Sequence, residues 1–212
     1  SASSTAPRRT LPPSTGTNQR GETVLSYIRW VMVRKRDVTA VIAEEQVPEL
    51  PKSVPAAELI LPAGMDFTDF DRELSGSPHV WDDYAVGETI DHVDGMTIEE
   101  AEHMMATRLY QNTAKVHFNQ HTEGQGRFGR RLMYGGHIIS LAHCLSFNGL
   151  ANAVKLLAIN GGRHVAPTFA GDTIYAWSEV MDKMELTGRS DVGALRLRTV
   201  AVKDKPCASF PV

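Results

Sequence analysis

Cysteine is nearly absent: the 212 residues hold two, Cys144 and Cys207. They lie far apart and form no Cys-x-x-Cys pair, which excludes a disulfide framework and a cysteine-based zinc site. The two are read as reduced thiols of a cytoplasmic protein, Cys144 in the core and Cys207 near the end. A long apolar run is also missing. No stretch reaches the roughly 18–20 residues a membrane-spanning helix needs, and the best, Val24–Val33, is broken by Arg29 and closed by Arg34. The first 19 residues are rich in Ser, Thr and Pro with no apolar centre, so nothing there reads as a signal peptide. An excess of basic charge is absent as well. Twenty-two Lys and Arg stand against 25 Asp and Glu, a net charge of -3, so nothing favours nucleic acid as a partner. There is no HExxH pattern, and no metal is expected.

What is present is ordinary for a globular protein: 42% hydrophobic and 22% charged residues, enough for one sizeable domain with an appendage or two small ones. Residues 1–21 read as loop or tail. Glu22–Arg36 (ETVLSYIRWVMVRKR) carries the Val, Ile, Tyr and Trp of a strand, but a single strand cannot bury its own face. Residues 37–80 hold five prolines and read as a linker lying along the surface. Glu88–Val93 is a short strand. Thr97–Tyr110 is a helix, with Ile98, Ala101, Met105 and Leu109 on one stripe and Thr97 and Glu100 placed for a capping box. Residues 111–134 show no period. Gly135–Gly149 is apolar nearly all round, the mark of a buried helix, and Asn148-Gly149 suits its C-terminal cap. Strands are expected over Lys155–Asn160, Asp172–Met184 and Val192–Lys203, the last with Leu195, Leu197 and Ala201 on one face and Arg196 and Arg198 on the other. This is an α+β layout, an antiparallel sheet wrapped round a buried central helix.

Chemistry concentrates after the first helix. Tyr110–His121 (YQNTAKVHFNQH) packs polar groups into a loop, where catalytic side chains are commonly carried. His117 is the natural general acid or base, since imidazole exchanges a proton near neutral pH. It is equally readable as a hydrogen-bonded histidine at a domain edge. Gly135 and Gly136, followed by His137, open the second helix; free N–H groups there favour developing negative charge, as an oxyanion hole requires, though a tight turn would use glycines too. Arg163 follows Gly161-Gly162, and Gly171-Asp172 suits a hairpin turn.

Together these pieces resemble the MaoC-like hot-dog hydratase family. Its motif, D-x-N-P-[LIV]-H, falls on Asn112–His117: the histidine is kept, Asn112 stands at the Asp position, and Ala114-Lys115 replace Asn-Pro. Longer runs, HVDGMTIEEAEHMMATRLYQNTAKVHFNQH, GRFGRRLMYGGHIISLA, LSFNGLANA and FAGDTIYAWSE, are similar to the mesaconyl-CoA hydratase (β-methylmalyl-CoA dehydratase) branch of that family. SYIRWVMVRKRD resembles the end of its first hot-dog unit. The resemblance implies a double hot-dog: residues 1–36 the tail of a first unit, 37–80 a linker, 81–212 a second unit short of its last strand. It implies reversible hydration of a branched dicarboxylic enoyl-CoA, with no cofactor, CoA being part of the substrate. His117 would move protons, helped by His121 or Glu123 or acting alone; Asn112 would position water or substrate; Gly135 and Gly136 would hold the thioester oxygen. Tyr110, Arg130, Arg131, His137 and Arg163 would bind substrate, with Arg108 a further cation nearby. A homo-oligomer is expected. Two other readings stay open: a non-catalytic acyl-CoA-binding or structural hot-dog half, and an enoyl-CoA hydratase of other chain specificity.

Overall fold

Asn18 and Gly21 set the first turn. The Asn18 side chain accepts from the N–H groups of Arg20 and Glu22, and Gly21 takes φ +78°, a left-handed conformation that only glycine adopts freely. The turn joins β2 (Ser14–Thr17) to β3 (Thr23–Tyr27) in an antiparallel hairpin, and β1 (Arg9–Thr10) pairs with β4 (Trp30–Val31). The computed structural model describes residues 9–10, 14–28, 30–31, 36–37, 39–41 and 49–212. Arg29 and residues 32–35 of the expected Glu22–Arg36 strand lie outside that set. Residues 14–17, expected as loop, are a strand because the turn after them returns β3 as a partner.

The chain divides into two compact units, Ser1–Lys52 and Ser53–Val212. In the second, the proline-rich stretch is tied down by polar contacts. Helix α1 (Arg72–Ser75) is capped by Asp71 and closed by Gly76. The Asp191 carboxylate accepts from the Phe67 N–H at 3.0 Å, and Arg189 donates to the Met65 carbonyl at 2.9 Å while pairing with Asp191.

The sheet of this unit is built on β7 (Thr173–Glu185), paired along one edge with β5 (Thr89–Asp91) and β6 (Met96–Thr97) and along the other with β8 (Gly193–Lys203), all antiparallel. A bulge between Val180 and Asp182 breaks the β7–β8 register, adding local twist. Before β7, α2 (Glu100–Leu109), α3 (Gln120–Glu123), α4 (Gly135–Leu145) and the kinked α5 (Phe147–Leu150) follow in order. Helix α4 packs on β7 and β8. Its Ile138, Leu141, Ala142 and Leu145 meet Ile174 and Ala176 of the sheet, with Ile98 and Met133, in one buried cluster. Tyr84, Leu150 and Val180 form a second, flanked by Ile90, Leu195 and Leu197.

Several expectations change. The Lys155–Asn160 segment forms no strand: it has no ladder partner among the described residues, and Leu156 and Ile159 stand exposed. Gly171-Asp172 is therefore a turn into β7 rather than a hairpin, with Gly171 at φ +91° and the Asp172 carboxylate accepting the Phe169 N–H. Helix α4 is buried on its sheet side only; Ile139 and Cys144 are exposed, so Cys144 is not in the core, whereas Cys207 is. Helix α2 starts at Glu100 after an N-cap, Glu99, that makes no side-chain cap bond, so the Thr97 capping box does not form. Of its expected apolar stripe only Ile98, which precedes the helix, is buried; Ala101, Met105 and Leu109 are exposed, and within the helix His103 and Thr107 are buried instead.

Candidate active site

The inward face of α2 meets the head of α4. His103 is 1% exposed, and its Nε2 accepts the backbone N–H of Tyr134, the residue just before α4, at 2.9 Å. From the loop between the helices comes His117, in a single 3-10 turn (Lys115–His117). Its Nδ1 lies 3.0 Å from the Leu132 carbonyl, while the Leu132 N–H donates to the Val116 carbonyl at 3.0 Å. A carbonyl only accepts, so Nδ1 carries the proton and Nε2 of the neutral ring keeps a lone pair. The His117 ring is edge-on to Tyr134 (5.8 Å between centroids) and to His103 (6.4 Å); His137, on the first turn of α4, lies 6.2 Å from His103.

The first N–H groups of a helix have no intrahelical acceptor, and in α4 these belong to Gly135 and Gly136. Both glycines lie under aromatic rings. A Cβ on Gly135 would collide with the His164 ring, and one on Gly136 would come within 2.5 Å of the Tyr134 ring.

Charge is unevenly satisfied here. The Arg131 side chain, 13% exposed, pairs with Glu100 at 2.7 Å and places a terminal nitrogen against the Met104 sulfur, while its buried Nε has no partner among the described residues. The His137 Nε2 is likewise buried without a hydrogen bond, with Glu102 at 3.8 Å. Burial, followed by the electrostatic opposition of His117, His137 and Arg131, pushes the His103 pKa down to about 4, against a smaller upward pull from Glu100.

Other predicted residues sit around this centre or away from it. Asn112 uses its side-chain oxygen to accept the Ala114 N–H at 2.9 Å, an Asx turn that shapes the loop. Tyr110 ends α2 exposed. Arg130 is exposed and lies over the Phe169 ring at 3.9 Å. Arg163 is exposed in the irregular 153–167 segment, and Arg108 faces outward on α2. His121 and Glu123 belong to the separate turn of α3. No group of three His, Cys, Asp or Glu among the described residues is arranged to hold a metal. Sequence reading missed His103 and His164. His103 was visible only as a polar residue at i-4 from Thr107 and i+4 from Glu99 on the face opposite the apolar stripe; His164 carried no signal beyond the glycine pair shortly before it.

A helix laid on a curled antiparallel sheet, with polar groups gathered at its N-terminus, is the hot-dog fold of the MaoC-like proteins. The family model described as mesaconyl-CoA hydratase matches residues 12–210, and the chain belongs to that family. The β-methylmalyl-CoA dehydratase of Chloroflexus aurantiacus is 65% identical over 198 residues, covering 93% of this chain and 56% of the relative. The mesaconyl-CoA hydratase of Cereibacter sphaeroides is 63% identical over 188 residues, covering 89% and 54%. The chain thus spans little more than half the length of these curated relatives. A crystal structure from Chloroflexus aurantiacus, described as a MaoC domain protein dehydratase, superposes with a TM-score of 0.88 at 64% identity, over 94% of this chain and 57% of that one. A Mycobacterium tuberculosis protein with a double hot-dog fold gives a TM-score of 0.64 at 21% identity, a likeness of fold alone.

Proposed function

We propose that the protein reversibly hydrates a branched dicarboxylic enoyl-CoA, interconverting mesaconyl-CoA and β-methylmalyl-CoA, the compounds for which its relatives are named. The observation that carries the reading is the placement of His117, its Nδ1–H anchored on Leu132 and its ring against Tyr134, beside the free N–H groups of α4. His117 Nε2 takes a proton from water as the oxygen bonds to the β carbon. The electrons of the double bond move to the thioester oxygen, which Gly135 and Gly136 stabilise by donating to it. The enolate then collapses as the α carbon receives the proton from His117, so one water is consumed and one double bond lost.

Asn112 cannot titrate, and its oxygen is committed to the Ala114 N–H; its amide N–H₂ is left to orient water or substrate. Tyr110, Arg130 and Arg163 are assigned to the CoA and outer acyl portions, being exposed around the site. Arg131 and His137 are assigned to the substrate's free carboxylate, because each has a buried nitrogen without a hydrogen-bond partner among the described residues. No metal or separate cofactor enters the scheme. No helix among the described residues is long and apolar enough to cross a membrane, and the reading takes the protein as a cytoplasmic homo-oligomer. The domain reading is kept alongside: residues 1–36 the tail of one hot-dog unit, 37–80 a linker, 81–212 most of another.

The test follows loss of enoyl-thioester absorbance from mesaconyl-CoA with the wild type and His117→Ala. Turnover that falls by about 10²–10⁴-fold in the variant is the expected result for loss of a general base. The amide at Asn112 favours a second reading, acyl-CoA binding without turnover. Tight binding of mesaconyl-CoA by an inert wild type would establish that reading instead.

A further inference from the structure

We propose that His103 is a positioning residue for this reaction, holding Tyr134 so that the Gly135 and Gly136 N–H groups stay aimed at the thioester oxygen. The inference rests on the hydratase reading above. The Tyr134–His103 bond ties the buried face of α2 to the residue that leads α4, thirty-one positions along the chain. A backbone N–H can be accepted only by an unprotonated nitrogen, so the bond requires neutral His103 with its proton on Nδ1. A protonated ring would set donor against donor and push Tyr134 away.

The surroundings keep the acceptor in place. His103 is buried; His117 approaches from the loop, His137 from α4 and Arg131 from the segment before α4, while Glu100 lies on its own helix. Three of the four neighbours are cations or become cations on protonation, and they oppose a second positive charge between them. Burial acts the same way. His117 can therefore gain and lose a proton in each cycle while His103 stays neutral and keeps hold of Tyr134. Thr107 fixes the backbone beneath it, donating its hydroxyl to the His103 carbonyl at 2.8 Å. Displacing oxyanion donors by even about 1 Å can cost on the order of 10²-fold in rate, so the anchor bears on the chemical step rather than on substrate capture.

The experiment compares His103→Gln, whose side-chain oxygen reaches about as far as the imidazole Nε2, with His103→Leu, which fills the space without an acceptor. Both are made in the full chain, and kcat and KM for mesaconyl-CoA are measured across pH. The expected result is a Gln variant within a few-fold of wild-type kcat and a Leu variant about 10²-fold slower with KM changed only a few-fold. Equal kcat in the two variants overturns the proposal. The Gln variant decides alone if the Leu variant does not fold: its kcat profile should keep the acid limb of the wild type. Loss or displacement of that limb would make His103 the titrating group and overturn the positioning role. A wild type without turnover overturns the hydratase reading and this proposal with it, whereas an active wild type with a flat variant series overturns this proposal only.

Discussion

Arg131 holds a guanidinium in an awkward compromise. One terminal nitrogen pairs with Glu100, the other faces the weakly accepting Met104 sulfur, and Nε has no hydrogen-bond partner among the described residues. Buried donors are rarely left without acceptors, because each loses its hydrogen bond to water and gains none in return. A ligand carboxylate would supply one. Arg131→Leu should therefore lower kcat/KM for mesaconyl-CoA by about 10–10²-fold, mostly through KM, and leave crotonyl-CoA, which lacks the second carboxylate, within a few-fold. Steady-state kinetics on the two thioesters decides it: an equal loss on both would remove Arg131 from carboxylate recognition. The nearby Arg130, stacked on Phe169, and the exposed Arg163 show no such unmet demand. These three arginines had equal standing in the sequence; burial separates them, and burial is a property of the packed chain.

At the scale of elements, α4 is set by its ends. Its first turn is Gly-Gly, and side chains there would have to displace the His164 and Tyr134 rings. Past its last turn, Gly149 takes φ +98° and packs against Ile90 of β5, where a Cβ would come within 2.6 Å of a methyl group. Gly149→Ala combines a left-handed backbone with that collision, and should destabilise by about 1–3 kcal/mol. Gly161→Ala, where an added Cβ meets nothing, is the control. Urea denaturation of the two variants would show the contrast, and equal midpoints would mean that the α5 kink relaxes freely. Helix α2 shows where pattern reading fails. Its periodicity was right and its buried face wrong, because the face turned inward carries His103 and Thr107, whose polar groups are hydrogen-bonded inside. Apolar periodicity assumes that the inner face is apolar, and at a reactive centre it need not be.

For the whole molecule, two of the buried histidines have their pKa pushed down by burial, in separate places. His103 is one. The other is His92, whose ring bridges the Asn148 carbonyl at 2.7 Å and the Ser178 hydroxyl at 2.8 Å, and whose pKa burial pushes below the ordinary 6.5. Unfolding exposes both, so between pH 6.5 and the His103 value of about 4 the unfolded chain binds more protons than the folded one. Stability then rises with pH across that window and falls as pH drops through it. The urea midpoint should be lower at pH 5 than at pH 7, with a smaller difference in His103→Gln; a midpoint independent of pH would show that neither ring is held neutral. Sequence alone determined much of this protein. The long β7 and β8, the helix opening at Gly135, the irregular loop bearing His117 and the hot-dog class are written in local periods, turn residues and extended runs of family likeness, all of which are read over neighbouring positions. The tertiary structure decided which face of α2 turns inward, that Lys155–Asn160 finds no ladder partner among the described residues, that Cys144 is exposed, and that His103 meets Tyr134. Those outcomes depend on which distant segments share a volume and on which polar groups find partners once water is excluded, and neither is encoded in the spacing of residues along the chain.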